Sequence, residues 1–374
     1  MKAENYVHIL KEFGFDTLIG VPDSTLKQFC DYINTDGKNE FFHYVPANEG
    51  AATGLAAGTY LATGKPACVY MQNSGIGNIV NPLTSIANKE VYGIPMLFMV
   101  GWRGEPGVHD EPQHRFMGRI TETIFDTLEV PHSVIDSNTT EEELKAILNE
   151  AKKVLDDCRQ YALIVKKGTF EKRSGGTYEN AYALNREEAI RTILTHVKEN
   201  DLIVSTTGKI SREVYEQSDI VLGGHTKSFL TVGGMGHASM IAYGIAVKRN
   251  DKHVICMDGD GAVMMHMGSL AFIGQNKPER FTHILLNNDS HESVGGMPTG
   301  ASGMQYAGIA EKCGYDCVKT VRTEEELIKA LDEIWDADGV SFLEVLVSLG
   351  SRDDLGRPKE TAEENKISFM KNME

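Results

Sequence analysis

Short apolar runs alternate with longer amphipathic stretches along the whole chain. A continuous apolar run bounded by turn residues predicts a strand buried on both faces, whereas apolar positions three or four residues apart predict a helix. This alternation of strand and helix is typical of doubly wound α/β domains built on parallel sheets. The clearest predicted strands are residues 66–72, 94–100, 161–166, 202–205, 281–286 and 340–347.

The alternation is interrupted between residues 172 and 184, where the periodicity is lost and Ser-Gly-Gly occurs. We interpret this segment as a linker between a domain of residues 1–171 and a domain of residues 185–374. The sequence Thr-Glu-Glu-Glu-Leu occurs near the end of each half, at 140–144 and at 323–327. The repeat indicates two similar domains. In the first half we assign the capping box to Thr139 and Glu142.

The composition narrows the classes of partner. The chain has 374 residues and a net charge of −16, which disfavours binding to nucleic acid or to an anionic membrane. No apolar run is long enough to span a bilayer, and the N-terminus lacks the apolar core of a signal peptide. The six cysteines are scattered without zinc-binding or redox spacing. We therefore expect a cytoplasmic protein that acts on a small molecule, with any anion site built from specific cations.

Polar residues end two neighbouring predicted strands in the second half. Gly259-Asp260-Gly261 ends one run, and Asn287-Asn288 ends the next after 25 intervening residues, which leave room for one crossover helix over 262–275. The carboxyl ends of adjacent parallel strands lie side by side, where open α/β sheets bind ligands. One carboxylate and one amide oxygen, with two diphosphate oxygens and a water, suit octahedral Mg²⁺. Gly-Asp-Gly alone is a common turn, so the spacing carries the signal.

This spacing resembles the signature of the thiamine-diphosphate (ThDP)-dependent enzymes. The resemblance implies two ThDP-binding domains, a pyrimidine-binding one at 1–171 and a diphosphate-binding one at 185–374. The chain has no room for the central third domain of many relatives. The resemblance also implies Asp260, Asn288 and the carbonyl of Ser290 as Mg²⁺ ligands, and Met235 as the bulky residue beneath the cofactor. The implied cofactor-binding residues are Glu49, Gly234, Met235, Gly259, Asp260, Gly261, Asn288 and Ser290.

Glu49 opens a predicted helix rich in glycine and alanine in the first half. Taken alone, it is an ordinary acidic residue that interacts with a helix dipole. The resemblance instead implies that Glu49 is catalytic and hydrogen-bonds the aminopyrimidine ring of ThDP, while the cofactor carries out the carbanion chemistry. It further implies a homo-oligomer, at least a dimer, with active sites between chains.

Several longer segments carry a second resemblance: residues 20–24, 71–78, 101–107, 110–114 and 293–296. These segments resemble the phosphonopyruvate decarboxylases, and the sulfopyruvate decarboxylases share much of the pattern. This resemblance implies ThDP- and Mg²⁺-dependent, non-oxidative decarboxylation of 3-phosphonopyruvate to phosphonoacetaldehyde and CO₂, in phosphonate biosynthesis. A sulfopyruvate decarboxylase, a ThDP carboligase and a non-catalytic protein of the same fold are the alternatives. Retention of both Glu49 and the Asp260/Asn288 pair argues against the last.

Product release needs a proton donor, and a dianionic phosphonate needs cations, hydroxyls or backbone N–H groups. The candidates for the proton donor are Asp23, His114 and His291. We expect a long polar loop over 101–115 to be functional. The candidate substrate-binding residues are Ser24, Arg103, Arg115, Ser293, Gly295 and Gly296, with the two glycines offering N–H groups as in an anion nest.

Overall fold

The structure is a computed structural model that describes residues 1–174, 176, 178–300 and 302–373, without the side chain of Ser293. The chain forms two compact units, Met1–Thr177 and Tyr178–Glu374. The boundary between them falls inside the segment 172–184 that we interpreted as a linker, although residues 175 and 177 lie outside the described part. Among the described residues, no helix is long and apolar enough to cross a membrane.

Unit 1 contains a six-stranded parallel sheet. Helices connect the strands, as parallel pairing requires. The strands are β1 (Thr17–Gly20), β2 (Phe42–Tyr44), β3 (Cys68–Gln72), β4 (Leu97–Gly101), β5 (His132–Ile135) and β6 (Tyr161–Val165), in the order β2-β1-β3-β4-β6-β5. The helices are α1 (Ala3–Glu12), α2 (Lys27–Asn34), α3 (Glu49–Thr63), α4 (Ile76–Pro82), α5 (Pro112–Thr127) and α6 (Glu141–Asp156).

Unit 2 contains a second six-stranded parallel sheet and a short hairpin. The sheet is formed by β7 (Asp201–Ser205), β8 (Ser228–Leu230), β9 (His253–Gly259), β10 (Arg280–Asn287), β13 (Cys317–Val321) and β14 (Gly339–Leu346), in the order β13-β14-β10-β9-β7-β8. The antiparallel hairpin pairs β11 (Ser290–His291) with β12 (Met297–Pro298). The helices are α7 (Arg186–Leu194), α8 (Lys209–Val221), α9 (Ala238–Ala246), α10 (Asp260–Met265), α11 (Gly268–Gln275), α12 (Tyr306–Cys313), α13 (Glu324–Trp335) and α14 (Ala362–Met370).

The two sheets have the same strand order. If the six sheet strands of each unit are counted along the chain, both sheets read 2-1-3-4-6-5. The repeated Thr-Glu-Glu-Glu-Leu segment begins α6 in unit 1 and α13 in unit 2, and each helix connects the fifth strand to the sixth. The prediction of two doubly wound parallel-sheet domains is therefore confirmed.

The central strands of unit 2 are buried along almost their whole length because both faces of the sheet are covered. In β9, Ile255 and Met257 pack into one hydrophobic cluster, while Val254 and Cys256 pack into another. β10 divides in the same way, and its residues after Arg280 are all buried. Covering both faces fixes the register of these strands and thereby the positions at which they end.

Three local predictions were wrong. The first capping box belongs to Thr140 and Glu143, one residue later than predicted, because the hydroxyl of Thr139 accepts a hydrogen bond from the N–H of Asp136 instead. The crossover helix is divided into α10 and α11, because His266 leaves the helical conformation (φ −132°, ψ 48°). The loop after β4 ends at Glu111, because Pro112 begins α5 with its preset φ.

Candidate active site

Asp260 follows β9 as the first residue of α10 and is only 4% exposed. Its Oδ1 accepts a hydrogen bond from the N–H of Gly261 (2.9 Å), and its Oδ2 accepts one from the N–H of Ser290 (2.9 Å). Burial raises the pKa of the Asp260 carboxyl to about 7, although these N–H groups oppose the shift. Among the described residues, no Lys or Arg forms an ion pair with it. Asp260 is therefore a buried carboxylate that a cation would stabilise.

Asn288 lies beside Asp260 at the end of the neighbouring strand. The N–H of Ser290 donates to Asn288 Oδ1 (3.1 Å) as well as to Asp260 Oδ2, so the two oxygens lie side by side. Asn287 instead donates to Glu344 Oε1 (2.9 Å) and links β10 to β14. The two asparagines thus differ, because only Asn288 presents its oxygen to the aspartate. A carboxylate and an amide oxygen at this spacing are ligands that suit Mg²⁺.

A cavity opens above this pair at the carboxyl end of the sheet. Met235 lines it together with Gly259 and Gly261. A Cβ added to Gly261 would lie 3.1 Å from the His291 ring and 3.5 Å from Met235 Cε, so glycine keeps the space open. Gly234 has φ +68°, a conformation that favours glycine and shapes the loop that carries Met235.

The cavity also contains polar atoms that lack a partner. The hydroxyl of Thr206 and Nε2 of His291 are buried and accept or donate no hydrogen bond within the described residues. Thr206 and Thr207 follow β7, and Lys209 begins α8 at the same cavity. The N-terminus of a helix attracts phosphate groups. The residues present therefore fit a diphosphate bound with a divalent cation.

The hairpin that follows Asn288 differs in part from expectation. Burial lowers the pKa of His291 to about 4, so the imidazole is neutral at pH 7. The N–H of Gly295 donates to the carbonyl of Glu292 (3.3 Å), and that of Gly296 donates to the carbonyl of His291 (3.1 Å). In this conformation the two glycines do not form the expected anion nest. The predicted role of Ser293 falls on a side chain outside the described part.

A charged cluster that the sequence analysis did not predict borders the same cavity. Arg186 donates two hydrogen bonds to Glu213 (both 2.7 Å) and pairs with Glu292, which also accepts from Lys209 Nζ (2.9 Å). Glu292 Oε2 accepts a further hydrogen bond from Asn288 Nδ2 (2.8 Å). Burial opposes ionisation of Glu292, but its two cations hold its pKa below the usual value. The members of this charged cluster lie too far apart in sequence for any local pattern to connect them.

In unit 1, Glu49 is the first residue of α3 and is 5% exposed. Asn48 caps the helix by accepting from the N–H of Ala51 (2.9 Å). Glu49 Oε2 accepts a hydrogen bond from Asn78 Nδ2 (2.6 Å). A Cβ added to Gly75 would lie 2.4 Å from Glu49 Oε1, so this glycine makes room for the carboxylate. The Glu49 side chain is therefore buried and held in place. An acidic residue that only interacts with the helix dipole would instead be solvated and free to move.

A second cluster in unit 1 brings together residues from three strand ends. Asp23, which follows β1, is fully buried and accepts hydrogen bonds from Gln72 Nε2 (2.8 Å) and the N–H of Thr25 (2.9 Å). Arg103, which follows β4, donates to Ser24 Oγ (2.8 Å) and makes two hydrogen bonds to Asp110 (2.8 and 2.5 Å). The structure thus groups the predicted Asp23, Ser24 and Arg103.

His114 and Arg115 lie on the first turn of α5 rather than in a loop. Burial, with the charge of Arg103, lowers the pKa of His114, while Asp23 and Asp110 oppose the shift. His114 therefore belongs to the same electrostatic cluster as Asp23 and Arg103. Arg115 is exposed and donates to the carbonyl of Asp110 (3.3 Å), which supports the loop.

Comparisons with known proteins agree with this geometry. Family models described as the N-terminal and the C-terminal TPP binding domain of thiamine pyrophosphate enzymes match residues 2–127 and 215–345. The first range contains Glu49, and the second contains Asp260 and Asn288. The fold and the paired carboxylate and amide thus define a thiamine-pyrophosphate-dependent enzyme.

Three relatives match almost the whole chain. A phosphonopyruvate decarboxylase of Streptomyces viridochromogenes is 33% identical over 97% of this chain and 92% of its own length, and one of Streptomyces hygroscopicus is 31% identical over 96% and 90%. A sulfopyruvate decarboxylase of Methanosarcina acetivorans is 24% identical over 97% and 95%. The chain belongs to the phosphonopyruvate decarboxylase family.

Proposed function

We propose that this enzyme decarboxylates 3-phosphonopyruvate to phosphonoacetaldehyde and CO₂ with thiamine diphosphate and Mg²⁺, as a step in phosphonate biosynthesis. The observation that carries the proposal is the pairing of Asp260 and Asn288 in one cavity with Met235. The relatives named for phosphonopyruvate are more similar to this chain than the full-length relative named for sulfopyruvate. The scattered cysteines, without zinc-binding or disulfide-like spacing, support a cytoplasmic location.

Bound thiamine diphosphate would supply an electron sink for the loss of CO₂ from a 2-oxo acid. Asp260, Asn288 and the carbonyl of Ser290 would hold the Mg²⁺ that fixes the diphosphate, with Gly259 and Gly261 against it. Met235 and Gly234 would support the middle of the cofactor. Glu49, held by Asn78, would hydrogen-bond the pyrimidine ring and control its protonation.

The cluster of Asp23, Ser24 and Arg103 is our proposed substrate region in unit 1. Arg103 donates three of its five N–H groups to Asp110 and Ser24, and within the described contacts the other two remain for a phosphonate oxygen. Asp23 and His114 are the proposed proton donors from this unit. His291, Arg115, Ser293, Gly295 and Gly296 stay candidates from the sequence, with the amides of the two glycines used in the hairpin.

The test is an aldehyde-release assay on the purified protein with phosphonopyruvate, sulfopyruvate and pyruvate, each with and without ThDP and Mg²⁺. We expect turnover only with both cofactors and a preference for phosphonopyruvate. A higher kcat/KM for sulfopyruvate would show that sulfopyruvate is the preferred substrate. Turnover without ThDP would refute the assignment of ThDP as the cofactor. Acetoin-type products from added aldehydes would favour a carboligase.

We also propose at least a dimer with active sites formed by two chains, on the basis of the family resemblance. Co-expression of Glu49→Gln and Asp260→Ala chains tests it. If each site takes Glu49 from one chain and Asp260 from another, a mixed dimer contains one native site and regains activity. If each site lies within one chain, every site carries a substitution and the mixture stays inactive.

A further inference from the structure

We propose that Glu292 is a positioning residue that orients the side-chain amide of Asn288 toward the cation. This inference rests on the proposed Mg²⁺ and ThDP site. It concerns the charged cluster of Arg186, Lys209, Glu213 and Glu292, whose members no sequence motif assigned to a role. All except Lys209 have side chains less than 8% exposed, so their pairing is not screened by solvent.

The side-chain amide of Asn288 has an oxygen end and an NH₂ end, and its neighbours favour only one orientation of the two. On one side the carboxylate of Glu292 can only accept, and it takes a hydrogen bond from Asn288 Nδ2 (2.8 Å). On the other side the N–H of Ser290 can only donate, and it bonds Asn288 Oδ1 (3.1 Å). Both neighbours therefore turn the oxygen toward Asp260, where a cation would need it.

Glu292 is itself fixed by cations. Arg186 and Asn288 share its Oε2, and Lys209 bonds its Oε1 (2.9 Å). Arg186 remains anchored to Glu213 through two hydrogen bonds of 2.7 Å. If the carboxylate of Glu292 were removed, the donors of Arg186 and Asn288 would face each other. Only the N–H of Ser290 would then hold the native orientation, and it would compete with an orientation in which the amide oxygen faces Arg186 and the NH₂ faces and repels the cation.

The experiment measures the Mg²⁺ concentration that half-saturates ThDP uptake in equilibrium dialysis, so it does not depend on turnover. For Glu292→Ala we expect this concentration to rise by about tenfold or more, as is typical when a group that orients a metal ligand is lost. Glu292→Met fills the same volume without an acceptor and should behave alike, and it replaces the alanine variant if that does not fold. Glu216→Ala is the matched control, because Glu216 also pairs with an arginine, Arg352, but does not line the cavity.

A second variant, Asn288→Asp, distinguishes an effect of Glu292 on the orientation of residue 288 from a general structural effect of losing Glu292. The Asn288→Asp side chain has two carboxylate oxygens, so its rotation cannot replace the oxygen that faces the cation by an NH₂ group. In that background the second oxygen would face the carboxylate of Glu292, which also only accepts, so the loss of Glu292 should leave the half-saturating Mg²⁺ concentration unchanged or lower it. An equal rise in both backgrounds, or no rise in the native one, would overturn the positioning role. A native chain that takes up no ThDP at any Mg²⁺ concentration would instead refute the proposed function.

Discussion

The two units differ in whether a side-chain cation neutralises a carboxylate near the carboxyl ends of the parallel strands. In unit 1, Asp110 lies in the loop after β4 and receives two hydrogen bonds from Arg103. Burial opposes its ionisation, but Arg103 and the N–H groups of Gly104 and Glu111 outweigh burial and hold its pKa well below the usual range. Unit 1 therefore supplies the cation from its own sequence.

In unit 2, Asp260 follows β9 and is more deeply buried, and burial raises its pKa to about 7. The cations nearest to that cavity, Arg186 and Lys209, are bound to Glu213 and Glu292 instead. The comparison teaches that one strand order supports either a self-contained ion pair or a carboxylate suited to an external cation. The short segments after the strands decide which, in keeping with ligand sites at the ends of parallel strands.

The largest effect should come from Glu49, a carboxylate of unit 1 that no Lys or Arg among the described residues pairs with. Glu49→Gln should lower kcat by about 10²- to 10⁴-fold, because a carboxamide cannot take up a proton, while the half-saturating Mg²⁺ concentration for ThDP uptake stays unchanged. Steady-state kinetics and equilibrium dialysis measure the two quantities. Full activity would remove Glu49 from the mechanism, and lost ThDP binding would reassign it to the binding of cofactor.

A smaller effect is expected when Glu49 is kept but displaced. A methyl group at Gly75 would meet the Glu49 carboxylate at 2.4 Å, and the flexible side chain would move before the backbone does. We expect Gly75→Ala to lower kcat by up to about 10²-fold, as small misplacements of catalytic groups do. Gly77→Ala is the matched control, because a Cβ there meets no atom within 4 Å. Equal activity of both variants would show that the position of Glu49 is not critical.

The smallest expected effect concerns the stability of the ion pair in unit 1. Asp110→Asn should lower the free energy of unfolding by about 1.5–3 kcal/mol at pH 7, the range for hydrogen bonds to charged groups. The folded-state pKa of Asp110 is depressed, so its contribution is present above the unfolded pKa of about 3.9 and is lost as the pH falls below it. Urea unfolding at several pH values should show the variant and the native chain converging in acid. A constant difference would assign the loss to another cause.

Much of the site could be predicted from local sequence. Gly259, Asp260 and Asn288 lie within three residues of the end of an apolar run, and strands buried on both faces make their ends easy to locate. Glu49 stands at a helix start next to a capping asparagine. Each of these residues is defined by neighbours a few positions away, which a single sequence shows.

The rest depends on contacts that topology alone creates. Glu292 meets Arg186 across 106 residues, and Asp23 meets Gln72 across 49. The shift of the capping box from Thr139 to Thr140 arose because two threonines precede three glutamates, and either register satisfies the local pattern. Likewise, the spacing of Gly295 and Gly296 could not show that hairpin pairing would use their N–H groups.

The most direct test of the central claim is ThDP binding to the native chain by equilibrium dialysis, with Mg²⁺ and with EDTA, beside the Asp260→Asn variant. We expect tight binding that requires Mg²⁺ in the native chain. The half-saturating Mg²⁺ concentration should rise by more than about 100-fold in the variant, because a direct ligand should exceed the 10- to 100-fold effect of supporting groups. Binding that is independent of Mg²⁺, or unchanged in Asp260→Asn, would contradict the assignment of Asp260 as the carboxylate that awaits an external cation.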